Sequence, residues 1–324
     1  MLAGVDLLLI ALALLFAWSM GAHYTGACMG MATASGAIDV RRALLLMAPL
    51  TFLGALVASG AVETTVGTGL LTGASVSVVE ATAIVGCAFG LTSAYNLVKL
   101  PTSTIQILVF SVVGVGLAAG QAVQWSTIAR LMVVCAAAPP AAALIAYLVT
   151  RWVDRTRTGH RIRDEPGYLP QIATGLLAAG AGASFVMGAN DVSNASGSFI
   201  MAGLFGLVAA GGLGGVGLAV GVLTWGRPLL KRVAFETVRL DRLTAMVAQL
   251  VQAGIVIVSV AFGYFTSLNQ ALVGAMAGTG WARGGGAVNR RVLRSIVTSW
   301  AVGPVSGLLL GFATGVGLVH LGWM

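Results

Sequence analysis

Between Gly188 and Ser198 the chain reads GANDVSNASGS, crowding Asn190, Asp191, Ser193, Asn194, Ser196 and Ser198 into nine residues. An aspartate with amides on either side suits a cation or a proton, because carboxylate and amide oxygens both accept. Asn190 and Asn194, four apart, share a helix face. Free N–H groups at a helix break between flanking glycines would instead attract an anion. A buried packing network would use the same residue types. Two further polar runs carry hydroxyls: Pro101, Thr102, Ser103, Thr104 and Gln106, and then Thr266, Ser267, Asn269 and Gln270. Such hydroxyls either satisfy backbone groups freed at a helix break or donate to an oxyanion. We read Ser103 and Ser267 as ligands and leave Thr102 open. His23, Tyr24 and Thr25 form a last group, in which His23 serves as a packing histidine or as a ligand.

These residues need elements to hold them, and the composition says which. Of 324 residues 58% are hydrophobic and 9% charged, against roughly 25% charged in soluble domains. An ordinary cytosolic enzyme is excluded. Apolar runs such as Leu2 to Trp18 and Ala43 to Ala58 approach the ~20 residues of a membrane-spanning helix. None alternates polar and apolar positions as a membrane barrel would. We expect an all-α polytopic membrane protein. Asp6 and the lack of a basic leader make the first run a span rather than a cleaved signal.

The net charge of +8 sits in short connectors, with no basic face for nucleic acid. Cys28, Cys87 and Cys135 lie in apolar stretches without paired spacing, as small core residues. No metal-ligand cluster, nucleophile with base or phosphate-cradling lysine motif points to an enzyme.

The chain is internally duplicated. MGA at Met20 to Ala22 returns at Met187 to Ala189, 167 positions on, and Gly30 and Gly36 return as Gly197 and Gly203. TSTIQILV from Thr102 aligns with TSLNQALV from Thr266, 164 positions on, and GVGLAAG from Gly114 with GTGWARG from Gly278. Four matches in one order, at nearly one offset, are hard to obtain by chance.

Charge decides the sense of the repeat, because cytoplasmic loops hold the Lys and Arg excess. Asp39 to Arg42 is basic and its counterpart near Gly206 is uncharged. The connector 226–242 is basic where 62–78 has only Glu63. Arg283, Arg290, Arg291 and Arg294 face Arg130 alone, and the Arg-rich linker 151–170 corresponds to a C-terminal tail without Lys or Arg. Equivalent loops therefore lie on opposite sides. The reading is two inverted repeats, 1–150 and 171–324, joined by a cytoplasmic linker 151–170. Both termini lie outside, with broken or re-entrant helices at the midplane, an architecture of secondary transporters.

In hydrocarbon an ionisable group marks a pathway. Glu63 and Glu80 flank an outer loop and read as interfacial. Asp191 is the acid left at depth, and its counterpart in the first repeat is Tyr24, so one half lacks its carboxylate.

GANDVSNASG and PTST resemble the signatures of the inorganic phosphate transporter (PiT) family, whose two inverted repeats each carry a GANDxxNxxG-like and a PxSTTH-like segment. ALVGAMAGTGWARGGGAVN from Ala271 is similar to the family's sequence after its second such segment, and the resemblance spans the chain. It implies that Asn190, Asp191, Asn194, Ser103, Thr104 and Ser267 hold phosphate and the coupling cation. The chain departs from that pattern at Tyr24, at Gln106 and Gln270 in place of the family's histidines, and at Leu268 and Asn269 in place of threonines. Some relatives with a degenerate first signature resemble sulfate permeases.

The expected function is cation-coupled uptake of phosphate, or alternatively sulfate, through the cell membrane; an anion channel is the remaining reading. Asp191 couples Na⁺ or H⁺ with Asn190 and Asn194. The same two asparagines, with Ser193, Ser103, Thr104 and Ser267, hold the anion, and His23 and Thr25 supply a weaker second half. One acid instead of two predicts fewer coupling cations per anion. The expected partners are the anion, the cation, the bilayer and a second copy in a homodimer.

Overall fold

The same order of elements occurs twice in the computed structural model, which describes residues 2–60, 69–72, 76–99, 102–156, 169–233, 241–284 and 290–324. The first series is α1 (Leu2–His23), α2 (Thr25–Ala34), α3 (Val40–Ala58), α4 (Val78–Leu97), α5 (Thr104–Ala118) and α6 (Trp125–Arg155). The two-residue strands β1 (Leu71–Thr72) and β2 (Ala122–Val123) pair antiparallel beside it. The second series is α7 (Leu169–Asp191), α8 (Ser193–Met201), α9 (Leu207–Arg232), α10 (Arg242–Ala261), α11 (Leu268–Ala282) and α12 (Arg290–His320). Eight stretches among the described residues are long and apolar enough to cross a membrane, with α1–α2 and α7–α8 each counted as one. Large apolar side chains such as Leu7, Val57, Val208 and Phe262 stand exposed on the outer surface, which suits lipid and not water.

Helix starts follow local chemistry. Asp39 caps α3 by accepting from the N–H groups of Arg41 and Arg42, and Asp241 caps α10 at Thr244 N–H. Glu80, expected at an interface, closes a capping box with Ser77 at the start of α4 and accepts from Gln121 Nε2.

Four glycines show how closely the two halves copy each other. A Cβ at Gly21 would lie 2.0 Å from Leu218 O, and one at Gly188 would lie 1.9 Å from Thr51 O. A Cβ at Gly54 would lie 1.9 Å from Phe185 O, and one at Gly221 1.9 Å from Trp18 O. Each residue of the second contact in a pair stands 167 positions from its mate in the first. The α1/α9 and α7/α3 interfaces are therefore one contact made twice, backbone against backbone, as small residues permit in lipid.

The same contacts give directions. α1 runs parallel to α9, while α3 runs antiparallel to α9, since Gly215 meets Ala55 and Gly226 meets Leu44. The equivalent helices α3 and α9 thus point in opposite senses, and the repeats are inverted. α4 runs with α1, and α5 returns against it, bringing Gln121 back to Glu80. In the second half α10 and α11 form the matching hairpin, whose open end is tied where Arg283 meets Asp241. Each hairpin leans on the last helix of the other repeat. α5 follows α12 through Gly303, Gly307 and Gly311, and α11 follows α6 through Gly274 and Gly278.

α6 continues to Arg155, past residue 150. Glu63, Pro101, Arg239 and the linker residues Arg157, Arg161 and Arg163 lie outside the described residues.

Candidate functional site

The signature residues sit at two helix junctions. His23 ends α1 and Tyr24 separates it from α2; Asp191 ends α7 and Val192 separates it from α8. Both signatures interrupt a helix, and α2 and α8 start there without a side-chain cap. Val192 keeps helical torsions and its N–H reaches Gly188 O, just as Tyr24 N–H reaches Met20 O. The interruption falls one residue later, at the uncapped starts of α2 and α8.

Two further helix starts lie at the hairpin tips. Ser103 caps α5 by accepting from Gln106 N–H, and Ser267 caps α11 by accepting from Gln270 N–H, both at 3.4 Å. Each tip is clasped by the signature of its own repeat. Asn190 holds the Thr266 main chain on both sides: its Oδ1 accepts from the N–H at 3.1 Å and its Nδ2 donates to the carbonyl at 2.9 Å. His23 faces the Thr102 main chain at the equivalent place, with Nε2 3.1 Å from the N–H nitrogen.

The clasps bring the two tips together. Gln270 Nε2 donates to Gln106 Oε1 at 3.2 Å, and Asn269 Nδ2 donates to Thr102 O at 3.0 Å. Two helix N-termini, one per repeat, therefore meet inside the protein, with Thr102, Ser103, Thr266 and Ser267 all buried. Each terminus carries roughly half a positive charge. Placed together and out of water, they favour negative charge nearby.

Asp191 lies beside this meeting point through its neighbour Asn190, which holds the α11 tip. Its side chain is fully buried, and neither carboxylate oxygen makes a hydrogen bond of ordinary geometry, although the Asn190 amide and the Tyr24 hydroxyl stand close to it. The Tyr24 hydroxyl, in the other repeat, is paired with Thr104 Oγ1 at 2.8 Å. The ion pairs found among the described residues join Arg42 to Asp39 and Arg283 to Asp154 and Asp241 at the loop ends, and none reaches Asp191. Asn194 Oδ1, Gln249 Oε1, Thr266 Oγ1 and Gln270 Oε1 are also buried and unpartnered. Unpartnered hydroxyls also occur in the first repeat, at Thr33, Thr92, Ser93 and Thr150, but the carboxylate is in the second. A buried carboxylate can take a proton or a small hard cation.

The structure sorts the other expected residues. Thr104 and the two capping serines stand at the tips. Asn194 lies on α8, with Nδ2 against Met20 Sδ. Ser193 turns its hydroxyl back to Asn190 O. Thr25 turns away into the α2/α9 contact, where its hydroxyl donates to Ala22 O and Gly226 O. Three further contributors are neither acids nor part of a signature. Asn96 at the end of α4 bonds His23, and Gln249 and Gln252 on α10 reach Ala27 O and Leu268 O. The sign of each is an amide inside an otherwise apolar helix.

The sequence model of the phosphate transporter family matches residues 20–174 and again 159–311. The chain is 29% identical over 311 residues to the sulfate permease CysP of Bacillus subtilis, covering 95% of this chain and 86% of that one. It is 28% identical over 335 residues to a Mycobacterium tuberculosis protein named a probable low-affinity inorganic phosphate transporter, covering 97% and 77% of the two chains. The fold is that of a solved sodium-dependent phosphate transporter: the TM-score is 0.87 at 21% identity, over 98% of this chain and 100% of the other.

Proposed function

Because this chain belongs to the phosphate transporter family, we propose that it takes up inorganic phosphate through the cell membrane as a cation-coupled symporter. The observation that carries this reading is the meeting of two buried helix N-termini, α5 and α11, across the Gln106 to Gln270 hydrogen bond. Their dipoles repel unless an anion lies between or beside them. Main-chain N–H groups with the hydroxyls of Ser103, Thr104 and Ser267 supply donors for a tetrahedral oxyanion, and Asp191 accepts the proton that phosphate keeps near neutral pH. Asn190 and His23 act by holding the tips in place.

Coupling rests on Asp191. A buried carboxylate without an ion-pair partner is costly, and Na⁺ or H⁺ removes that cost. Asn194 Oδ1, Thr266 Oγ1 and Gln270 Oε1 are further oxygens of the kind Na⁺ takes. A cation on Asp191 favours an anion at the adjacent N-termini, and the reverse holds equally, which is the linkage a symporter needs. The loop ends holding Arg42, Arg232, Arg242 and Arg283 belong to the linker side of the fold. By charge bias that side is cytoplasmic and both termini are outside.

Sulfate is the second reading, favoured by Tyr24. It puts a neutral phenol where the other repeat has an acid, and sulfate has no proton to give an acceptor. Reconstituted protein loaded with labelled phosphate or labelled sulfate, under an imposed Na⁺ or H⁺ gradient, tests both. Accumulation of phosphate against its gradient, weakly competed by sulfate, supports the first reading. Accumulation of sulfate without competition by phosphate supports the second. Anion conductance without accumulation overturns both in favour of a channel.

A further inference from the structure

One asparagine clasps the α11 tip, whereas a histidine stands at the same place for the α5 tip, and the two side chains are not chemically equal. The Asn190 amide has an acceptor and a donor, and it uses both on Thr266. An imidazole nitrogen can do one or the other, and which one depends on where the ring keeps its proton.

Asn96 decides this. Its Nδ2 donates to Ser19 O at 2.8 Å, so its Oδ1 is the atom turned to His23 Nδ1, 2.5 Å away. An oxygen there can only accept. The proton must therefore sit on Nδ1, which leaves Nε2 as a lone pair facing Thr102 N–H at 3.1 Å. The same Nε2 lies 3.2 Å from the Thr102 carbonyl and 3.4 Å from its hydroxyl; as a lone pair it can accept from the hydroxyl but gives the carbonyl no donor, and Asn269 of the other repeat supplies one at 3.0 Å. The second repeat needs neither helper. Val260 stands where Asn96 has its counterpart 164 positions on, and Ile105 stands where Asn269 has its counterpart 164 positions back.

We propose that Asn96 and Asn269 are positioning residues that rebuild, around the Nδ1–H form of His23, the two-sided clasp that Asn190 makes alone. Asn96 holds the ring in the form that can accept from Thr102, and Asn269 completes the donor side. Together they fix the start of α5, and with it Ser103 and Thr104, at the place where the helix ends meet. Nothing else bonded to His23 is charged; its titratable neighbour is Tyr24, edge-on with ring centroids 5.2 Å apart. This assignment rests on the transport reading only for its kinetic test, because the ring form can be read directly.

The direct test is the ¹⁵N spectrum of histidine-labelled protein in lipid, with the His23 signals identified by their loss in His23→Asn. The expected result is a single neutral Nδ1–H ring in the native chain and a mixture of ring forms in Asn96→Leu. A native ring protonated on Nε2, or a spectrum unmoved in Asn96→Leu, overturns the proposal whatever the protein carries. The kinetic test uses labelled phosphate and sulfate uptake. Asn96→Leu should raise the half-saturation constant about tenfold, the scale of a lost clasp. His23→Asn placed on Asn96→Leu should restore it to within about threefold, because an asparagine needs no help to orient. A double variant as impaired as Asn96→Leu would overturn the assignment. If Asn96→Leu does not fold, Asn96→Asp takes its place: the carboxylate holds the ring doubly protonated, and a ring that stays neutral there overturns the proposal.

Discussion

Gln106 and Gln270 are the same residue of the two repeats, 164 positions apart, and they are hydrogen-bonded to each other at 3.2 Å. A residue that meets its own copy lies on the pseudo-twofold axis of an inverted pair. The axis therefore passes between the α5 and α11 starts, and any ligand held by both halves must lie close to it. Gln106→Leu and Gln270→Leu remove the same bond. Each is expected to weaken anion uptake about fivefold, the scale of one hydrogen bond, while the double variant is little worse than the worse single one. Half-saturation constants of all three, compared as a cycle, check this. Simple additivity would place the two side chains in separate roles.

Asp191→Asn keeps the shape of the side chain and removes its charge. Accumulation driven by a cation gradient is expected to fall about a hundredfold, since the coupling free energy resides in that charge. Anion exchange across liposomes without a gradient is expected to persist. Loss of both together would make Asp191 a folding residue, and retention of both would remove it from coupling.

Tyr24 occupies the position of the absent second acid, and its hydroxyl is already paired with Thr104. The native chain is therefore expected to move one coupling cation per anion, as the equilibrium anion gradient under varied cation gradients would show. Tyr24→Asp restores the second carboxylate and should steepen that dependence, whereas Tyr24→Phe should leave it unchanged while weakening anion binding a few-fold. Two coupling cations in the native chain would contradict the single-acid account.

Gly21→Ala and Gly188→Ala each push a methyl group to 2.0 Å or less from a facing carbonyl oxygen. Both helices of the contact must separate. We expect a loss of about 2 kcal/mol or more for each, and similar losses for the two because the contacts are copies. Midpoints of thermal unfolding in detergent measure it. A large difference between the two would show that the halves do not share the load equally.

Much of this is legible in the chain, and the unread part has a physical pattern. The duplication shows because close backbone contacts tolerate only glycine, so MGA survives at Gly21 and again at Gly188. Inversion shows because Arg41, Arg42 and Arg283 must stay on one side of the bilayer. Asp191 shows because a carboxylate between two apolar segments is costly to bury. What does not show is how each polar atom is spent. Asn190, His23 and Thr25 all read as ligands by type, yet Asn190 and His23 bond main chain at the tips and Thr25 bonds main chain of α9. Asn96 is silent because its partners lie more than seventy residues away. The glycines of the signature suggest a helix break, and α2 and α8 do start there, but the starts that meet across the two repeats are the capped ones at Ser103 and Ser267.

The exchange of partners between halves carries a last consequence. The α4/α5 hairpin leans on α12, and the α10/α11 hairpin on α6, so neither half can tilt without carrying along a piece of the other. The hairpins enter from opposite faces, so each repeat grips with its last helix the segment that carries the other's tip, and severing the two halves would strip both tips of their support.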